Sequence, residues 1–353
     1  MHSVDKVPSM AGNDFVERVL DEGFSTESVL ALCSRSSNSD SGKQQNPLEP
    51  TVFHEPWWLK LASDDRYELA EVSTGGKTVG QLPYVRRRRF GLVSLEMPML
   101  THFLGPAFAD TDRNPKNVFL QRLSITRDLI LKLPRADLIR FKAHRGIEEA
   151  IAFQEQGFRT SVQFTHEIQP MAENALWANL RGKTRNVIRR ASEVTCVRDL
   201  NDPEAFIHFY QSNLQSRGIR SFLKFPICTA LLAESIRRGR GRIIAGYGDA
   251  NELIAANFYV WDSSAYYFLM TTRSLSAKNG VTSLLLWHAL QDAAMRNLLF
   301  DSDGLNSNGG ILFLAGFGGV VKPRYIVSKS KFTGRFLEAF QDIMWGTNYF
   351  VRG

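Results

Sequence analysis

Apolar and polar positions follow two different periods along this chain, and these periods predict its helices and strands. Apolar residues recur at helical spacing in NVFLQRLSITRDLILKL and in VTSLLLWHALQDAAMRN, where one stripe of each predicted helix faces the interior. Short runs of β-branched and aromatic residues predict strands in YELAEVST, KTVGQLPYVRRRR, GRIIAGYG, LIAANFYVW and AYYFLM. Both halves follow the order helix, strands, helix, strand rather than strict βαβ alternation. The pattern therefore predicts an α/β (α+β) chain with two related lobes.

Length and composition divide the chain into three segments. A chain of 353 residues is comfortable for two domains. The stretch SRSSNSDSGKQQNPLEP is too polar to bury much surface, so we predict a disordered or weakly structured extension over residues 1–50. We expect the first lobe at residues 51–168 and the second lobe, with the active site, at residues 169–353.

The sequence has a formal net charge of +7, and part of this excess lies in three local runs at residues 86–89, 181–190 and 237–242. A basic chain favours anionic partners, which include phosphates, nucleic acid such as tRNA, acidic glycans and a membrane surface. Charge alone does not choose among them. For the run at residues 86–89, which ends a predicted strand, edge protection or a solvated turn is the simpler interpretation.

Several classes of protein are disfavoured by missing patterns. No apolar run reaches the roughly 18 residues of a membrane span, and no secretory signal is evident, so we expect a cytoplasmic protein without a transmembrane segment. Cys33, Cys196 and Cys228 are widely spaced and form neither a metal pattern nor a disulfide framework. Hydrolase, zinc-peptidase and P-loop motifs are missing as well, so we predict no metal site and no direct ATP hydrolysis.

The run LRGKTRNVIRRA places several cations on one predicted helix. At helical spacing, Arg181, Arg185 and Arg189 share one face, where like charges repel unless an anion lies against them. One interpretation is a solvated basic face. The other is that Arg185 and Arg189 bind an anionic part of a substrate, such as the phosphate of a donor or acceptor.

The stretch FDSDG follows a short predicted strand and contains Asp301 and Asp303. Catalytic groups often lie on loops at strand ends, and a carboxylate there is suited to act as a general base or to bind an incoming ammonium group. The alternative is a turn in which the aspartates hydrogen-bond to their own backbone. On the first interpretation, Asp301 and Asp303 are the catalytic residues.

The start of the helix VTSLLLWHALQDAAMRN is a candidate phosphate site. Helix N-termini expose unpaired N–H groups at the positive end of the dipole. Arg273 and Lys278 add charge, and Asn279, Gly280 and Thr282 complete the predicted cofactor site. The alternative is a plain loop with a glycine turn. On the functional interpretation, this helix start and the tip of the FDSDG strand face a common cavity.

Taken in order, PWWL, MPMLTHFLGP, LRGKTRNVIRRA, FDSDG and FLAGFGG make residues 51–330 resemble the Fem-type branch of the GNAT acyltransferase superfamily. That branch includes peptidoglycan bridge aminoacyltransferases and acetyltransferase-like proteins associated with exopolysaccharide synthesis. The resemblance implies two tandem GNAT-like lobes, each with a mixed, mainly antiparallel sheet flanked by helices. It also implies direct transfer of an acetyl, acyl or aminoacyl group to an amine or hydroxyl of a cell-envelope or exopolysaccharide precursor.

The resemblance further implies how the substrates are held. The donor is acyl-CoA in standard GNAT members and aminoacyl-tRNA in bridge-forming members. The donor carbonyl would lie near the strand LIAANFYVW and be polarised by backbone N–H groups. Asn257, Tyr267 and Phe317 would contact the substrates. The chain departs from the family at Leu314, where a lysine is usual, and in the loop AKNGVT, which keeps one glycine of the phosphate loop.

Three hypotheses follow. The first is an acyl-CoA-dependent N- or O-acyltransferase, and the second is an aminoacyl-tRNA-dependent aminoacyltransferase of the peptidoglycan type, which the basic segments favour. The third is a non-catalytic protein that binds a nucleotide or glycan, which Leu314 and the eroded loop favour.

Overall fold

The computed structural model describes the chain in four stretches, residues 46–110, 114–277, 280–303 and 308–331. The predictions for Lys278, for Asn279 and for most of the N-terminal extension lie outside the described residues. Within them, the α-helices are α1 (Pro56–Ser63), α2 (Pro115–Lys132), α3 (Ile151–Glu155), α4 (Glu173–Asn179), α5 (Gly182–Ser192), α6 (Pro203–Ser216), α7 (Phe225–Arg237), α8 (Val281–Met295) and α9 (Asn308–Leu314).

The strands of the described residues are β1 (Tyr67–Thr74), β2 (Lys77–Arg89), β3 (Leu92–Glu96), β4 (Ala107–Phe108), β5 (Leu138–Lys142), β6 (Arg159–Ile168), β7 (Cys196–Asp199), β8 (Gly241–Tyr247), β9 (Leu253–Trp261), β10 (Ala265–Arg273), β11 (Leu299–Asp301) and β12 (Val320–Ser330). Short 3-10 turns lie at Val52–His54 and Ala315–Phe317. None of the helices described in these four stretches is both long enough and apolar enough to cross a bilayer.

All these strands belong to one sheet with the order β1-β2-β3-β5-β12-β6-β11-β10-β9-β8-β7, and β4 pairs with β2. The named strands pair antiparallel except for β3 with β5 and β10 with β11. The predicted mixed, mainly antiparallel sheet flanked by helices is confirmed. The late strand β12 lies between β5 and β6, so it pairs with strands from the earlier part of the chain. The predicted domain boundary at residue 168 stays a prediction.

Alternation along β10 and β11 sends neighbouring side chains to opposite faces of the sheet. Tyr266 and Phe300 belong to the apolar core that contains α8. Tyr267, the neighbour of Tyr266, belongs to the core on the other face, which contains α6 and α7. Asp301 follows Phe300 and pairs with Tyr267 in the register of the two strands, so its side chain lies on the face opposite α8.

Candidate functional site

The parallel strands β10 and β11 pair through only three residue pairs, the last of which is Tyr267 with Asp301. Beyond this point β10 continues to Arg273, and its pairing with β9 is interrupted by a bulge between Phe268 and Met270. A bulge re-aims backbone groups and is frequent next to active sites. The separation of the two strands therefore leaves one edge of β10 beyond Tyr267 without a partner strand among the described residues.

Strand β9 is not suited to the role that the sequence suggested for it. It pairs with β8 on one side and with β10 on the other along Leu253–Trp261, all of which the structure describes. Paired backbone N–H groups are already used by the sheet. The expectation that the β9 backbone polarises a donor carbonyl is therefore wrong, and the edge of β10 is the better position.

Asp301 is fully buried, and hydrogen-bond donors occupy both of its carboxylate oxygens. Its Oδ1 accepts from the Thr165 hydroxyl at 2.5 Å and from the Asp303 backbone N–H at 3.0 Å. Its Oδ2 accepts from Arg324 Nη2 at 2.9 Å, and Arg145 Nη2 lies 3.8 Å away. The alternative that the sequence left open, a turn bond from the backbone to the aspartate, is present. These donors leave Asp301 poorly placed to take a proton from a substrate.

Asp303 lies two residues further along and connects two other buried groups. Its Oδ1 accepts a short hydrogen bond from the Lys142 ammonium, and its Oδ2 lies 3.3 Å from His102 Nδ1. Its backbone has a φ of +48°, a left-handed conformation that non-glycine residues seldom adopt. Such outliers cluster at functional sites. The aspartates of FDSDG thus join one buried polar cluster at the end of β11.

The cluster is balanced in charge. Arg324 also donates a short hydrogen bond to Glu167 on β6, the strand that neighbours β11. Three carboxylates therefore face three cations, which are Asp301, Asp303 and Glu167 against Lys142, Arg145 and Arg324. Burying charges is costly unless they are paired, and this pairing reduces the cost. The cluster holds β5, β6, β11 and β12 in one arrangement.

His102 is the neutral group of this cluster. Burial lowers the pKa of His102, the nearby Asp303 carboxylate opposes this effect, and the Lys142 ammonium adds to it. The main chain of Leu269, on β10, also acts on the imidazole and raises its pKa. An imidazole with a lowered pKa is unprotonated at neutral pH and so is able to accept a proton. His102 therefore lies between the acidic loop and the edge strand.

The N-terminus of α8 is positioned by Gly280, which has a φ of +101°. A side chain there would be strained, and its Cβ would lie 2.7 Å from Val187 Cγ1 and 3.0 Å from the Val187 carbonyl oxygen on α5. Glycine therefore permits close packing of α5 on α8. Thr282 lies half-buried in the first turn. Because α8 and the Asp301 side chain lie on opposite faces of the sheet, the expected common cavity is not formed by these two groups.

Arg273 ends β10 close in sequence to this helix start, and the structure adds a second arginine beside it. Arg217 donates from Nη2 to the Arg273 carbonyl at 2.8 Å and from Nη1 to the Asn213 carbonyl at 2.9 Å. Burial, and then the Arg273 charge, lower the pKa of Arg217. Two cations held together in this way are stabilised by an anion. Arg217 is a cation that the sequence analysis did not identify.

The two arginines predicted to bind substrate, Arg185 and Arg189, each make an intramolecular contact, and their binding of a substrate stays a prediction. Arg185 donates from Nη1 to the carbonyls of Ala178 and Leu180, each at 3.1 Å, at the C-terminal end of α4. Arg189 lies over the Trp177 ring with its Cζ 5.4 Å from the ring centroid. Arg189 is nevertheless exposed, as are Lys183 and Arg190 of the same helix and Arg181 at its N-cap.

Three further residues predicted to contact substrates are core residues. Asn257 is fully buried and donates to the Tyr259 hydroxyl at 2.9 Å. Tyr267 is also fully buried and donates to Asp262 Oδ2 at 2.7 Å. Phe317 belongs to the core that contains α8, together with Leu314, so no cation stands where the family has its lysine. These environments contradict direct substrate contact in this conformation.

Sequence reasoning missed the groups that contact the two aspartates, which are His102, Lys142, Arg145, Thr165 and Arg324. It also missed Glu167, which pairs with Arg324, and Arg217, which lies beside Arg273. A weak signal was present in β5, whose five residues LIRFK are all buried although two are basic. Charged residues are almost never fully buried unless they are paired, so such a strand indicates buried ionic partners. Among the described residues, no group of three or more His, Cys, Asp or Glu side chains is placed to hold a metal ion.

Two further buried histidines, His54 and His144, form a pair of packed imidazole rings. His144 accepts from the Gly146 N–H through Nδ1 at 3.1 Å and donates from Nε2 to the Pro106 carbonyl at 2.8 Å. The ring of His54 packs edge-on against it with centroids 5.1 Å apart. Burial is the main cause that lowers the pKa of His144 from 6.5 to about 4. The bond that Nδ1 accepts requires the neutral imidazole, since both nitrogens of a protonated imidazole are donors.

We expect the free energy of unfolding to fall as the pH drops from about 6.5 towards 4. The pKa of His144 is lower in the folded state than in the unfolded state, so the unfolded state binds more protons in this window, at up to about 1.4 kcal/mol per pH unit. Urea unfolding at several pH values measures this slope. His144→Gln should flatten it, whereas His208→Gln, at an exposed position, should not. An equal slope in wild type and His144→Gln would contradict the assignment.

Comparisons with known proteins concern the domain type and the fold. Residues 177–302 match the family model described as an acetyltransferase (GNAT) domain. No curated protein matches the sequence. The crystal structure of FemX aligns with a TM-score of 0.56 at 11% identity, covering 77% of this chain and 90% of that one.

Two further solved structures resemble this chain to a similar degree. The C-terminal domain (DUF2156) of a putative lysylphosphatidylglycerol synthetase from Agrobacterium fabrum has a TM-score of 0.53 at 12% identity, covering 82% of this chain and 91% of that one. L-PGS from Bacillus licheniformis has a TM-score of 0.52 at 12% identity, covering 88% of this chain and 100% of that one. At these identities the likeness shows a shared fold, and it confirms the predicted resemblance to GNAT proteins of the Fem type.

Proposed function

We propose that this chain, whose residues 177–302 form a GNAT acetyltransferase domain, transfers an acyl group directly from a carrier to an amine or hydroxyl acceptor. The observation that carries the proposal is the separation of β10 and β11 after Tyr267 and Asp301, inside the matched region. An extended ligand adds to an unpaired strand edge through backbone hydrogen bonds. The pantetheine arm of acyl-CoA contains amide groups of the kind that such an edge binds.

The phosphates of the donor would lie at the end of this edge. The N-terminus of the 15-residue helix α8 supplies N–H groups and the positive end of its dipole. Arg273 and Arg217 supply the neighbouring positive charge. This assignment keeps Gly280 and Thr282 of the predicted cofactor site and adds Arg217 to it. Acyl-CoA is the donor that this arrangement favours.

The acceptor proton would pass to His102 rather than to Asp301. The His102 side chain is buried in this conformation, so donor and acceptor binding would have to open the space between it and the edge of β10. The Asp303 carboxylate lies 3.3 Å from His102 Nδ1 and would orient the imidazole, in the way that a carboxylate orients a catalytic histidine. Asp301 and Asp303 are then positioning residues, and the reacting carbonyl is polarised by backbone N–H groups near the bulge of β10. The acceptor amine or hydroxyl would attack the thioester carbonyl carbon and form the new C–N or C–O bond, while the C–S bond breaks and CoA leaves as a thiolate. The proton taken up by His102 would then return to this thiolate or to solvent.

The proposed acceptor is a cell-envelope or exopolysaccharide precursor, and the reaction is placed in the cytoplasm. The fold likeness to FemX and to lysylphosphatidylglycerol synthetase domains supports an acceptor of this class. A second candidate donor is aminoacyl-tRNA. This donor is favoured by the exposed cations in and next to α5, which are Arg181, Lys183 and Arg190. Cations that contact phosphates supply much of the affinity of proteins for nucleic acid.

Thermal unfolding with each donor tests the proposal. We expect acetyl-CoA or a longer acyl-CoA to stabilise the protein by about 2.7 kcal/mol at about 100 times its Kd, because it binds only the folded state. Arg273→Gln should weaken donor binding about tenfold, since charged hydrogen bonds contribute this much.

Arg66→Gln is the matched control, because Arg66 forms an exposed ion pair with Asp64 in the first half of the chain. It should leave donor binding unchanged. Stabilisation by charged tRNA alone would favour the second candidate. No stabilisation by any donor would contradict acyl transfer and favour a non-catalytic binding protein.

A further inference from the structure

The β2–β3 hairpin ends in an aromatic residue that projects into solvent. Phe90 is 86% exposed, which is the largest value among the exposed large hydrophobic side chains of the described residues. Its φ is +52°, a conformation that favours glycine or asparagine and strains a bulky residue. An exposed side chain in a strained turn contributes nothing to the core. The position of Phe90 therefore needs an explanation other than folding.

Basic residues surround this apex. Arg88 and Arg89 pair with Val93 and Leu92 across the hairpin. The next two arginines of the run are already engaged, because Arg86 forms an ion pair with Glu68 and Arg87 with Glu96. Arg88, which is exposed two positions before Phe90, brings positive charge to the apex.

The loop between α2 and β5 adds more charge to the same place. Asp137 accepts from the Val93 N–H at 2.9 Å and donates its own N–H to the Val93 carbonyl at 2.8 Å, which fixes the loop against the hairpin. Arg135 is exposed in this loop, and Lys331, which is 63% exposed on its side chain, lies 3.6 Å from Asp137. Lys331 therefore pairs with Asp137, and Arg135 adds an exposed cation to the loop that these bonds hold against the hairpin.

We propose that this basic hairpin tip, formed by Arg88–Gly91 with Arg135 and Lys331, binds the surface of an anionic lipid bilayer. The Phe90 ring would enter the interface between head groups and acyl chains, where aromatic side chains partition favourably. The surrounding cations bind anionic head groups. A protruding phenylalanine side chain suits insertion among lipid head groups, whereas binding of a polyanion in solution would use the cations alone.

The proposal is tested by co-sedimentation with vesicles of phosphatidylcholine alone and of phosphatidylcholine mixed with phosphatidylglycerol. The full chain should sediment with the mixed vesicles at low salt and not with phosphatidylcholine alone. Phe90→Asn should reduce binding about tenfold, because the variant would lose about half of the free energy that burying a phenylalanine side chain contributes. Asparagine suits the turn, so the variant stays folded. Arg88→Gln should reduce binding about fivefold.

Met295→Gln is the matched control, since Met295 is 79% exposed at the end of α8. It should bind vesicles like the wild type. Equal binding by wild type and Phe90→Asn would overturn the proposal, as would no binding to the mixed vesicles. Binding to RNA that depends on Arg88 and not on Phe90 would also overturn it, in favour of a polyanion. Acyl transfer to a soluble acceptor does not depend on this tip, so the two proposals fail separately.

Discussion

Replacing Asp301 by alanine is expected to lower the free energy of unfolding by about 3–5 kcal/mol, because it removes one member of a buried ionic cluster. Arg324 is 5% exposed and would keep Glu167 as its remaining carboxylate partner. The Thr165 hydroxyl and the Asp303 N–H would also lose their acceptor. A buried donor without a partner costs the free energy of its desolvation. Urea unfolding followed by circular dichroism measures the change.

Asp199→Ala provides the matched control. Asp199 is 41% exposed on its side chain and pairs with Arg242 at 2.6 Å, so the pair is screened by solvent. Its removal should change stability by less than about 1 kcal/mol. Asp301→Asn should lie between the two, since the amide keeps one acceptor and loses the charge. A loss of under about 1 kcal/mol for Asp301→Ala would show that the cluster does not hold the sheet together.

The second large effect is expected at His102. His102→Gln should lower kcat about 10²- to 10⁴-fold, the usual contribution of a general base, with the affinity for the donor unchanged. The reason is that the neutral imidazole lies between Asp303 and the Leu269 main chain, at the edge of β10 beyond its pairing with β11. Steady-state kinetics with saturating acyl-CoA measures kcat, and donor-induced stabilisation measures affinity separately.

The pH profile distinguishes a base from a structural residue. If His102 must be unprotonated, kcat/KM rises with pH through the pKa of His102. The Asp303 carboxylate raises this pKa, so Asp303→Asn should move the rising limb to lower pH. A purely structural role would lower activity without moving the limb. Wild-type kcat in a folded His102→Gln would exclude the imidazole as the base.

Local pattern determined much of the architecture. The strand predicted for LIAANFYVW is β9 with the same bounds, and the helix predicted for VTSLLLWHALQDAAMRN is α8 to within two residues. Hydrophobic period and turn residues are properties of short segments, so they are readable in order along the chain. The buried face was predicted less accurately in α2. The helix buries Leu129 and Ile130 but leaves Phe119 37% exposed, because the packing partner selects which apolar residues are buried.

The candidate site, too, was predictable from the sequence only in part. The sequence by itself pointed to Asp301 and Asp303 and to the start of α8, since strand ends and helix starts have local signatures. Only the tertiary structure decided what these groups contact. The hydrogen bond from Thr165 to Asp301 spans 136 residues, and that from Lys142 to Asp303 spans 161. Such pairs follow from the order of strands in the sheet. A contact between residues so far apart in the chain produces no periodic pattern in the sequence, so it was not predictable from the residues alone. The face of the sheet that Asp301 occupies was decided by the burial of Phe300 beneath α8.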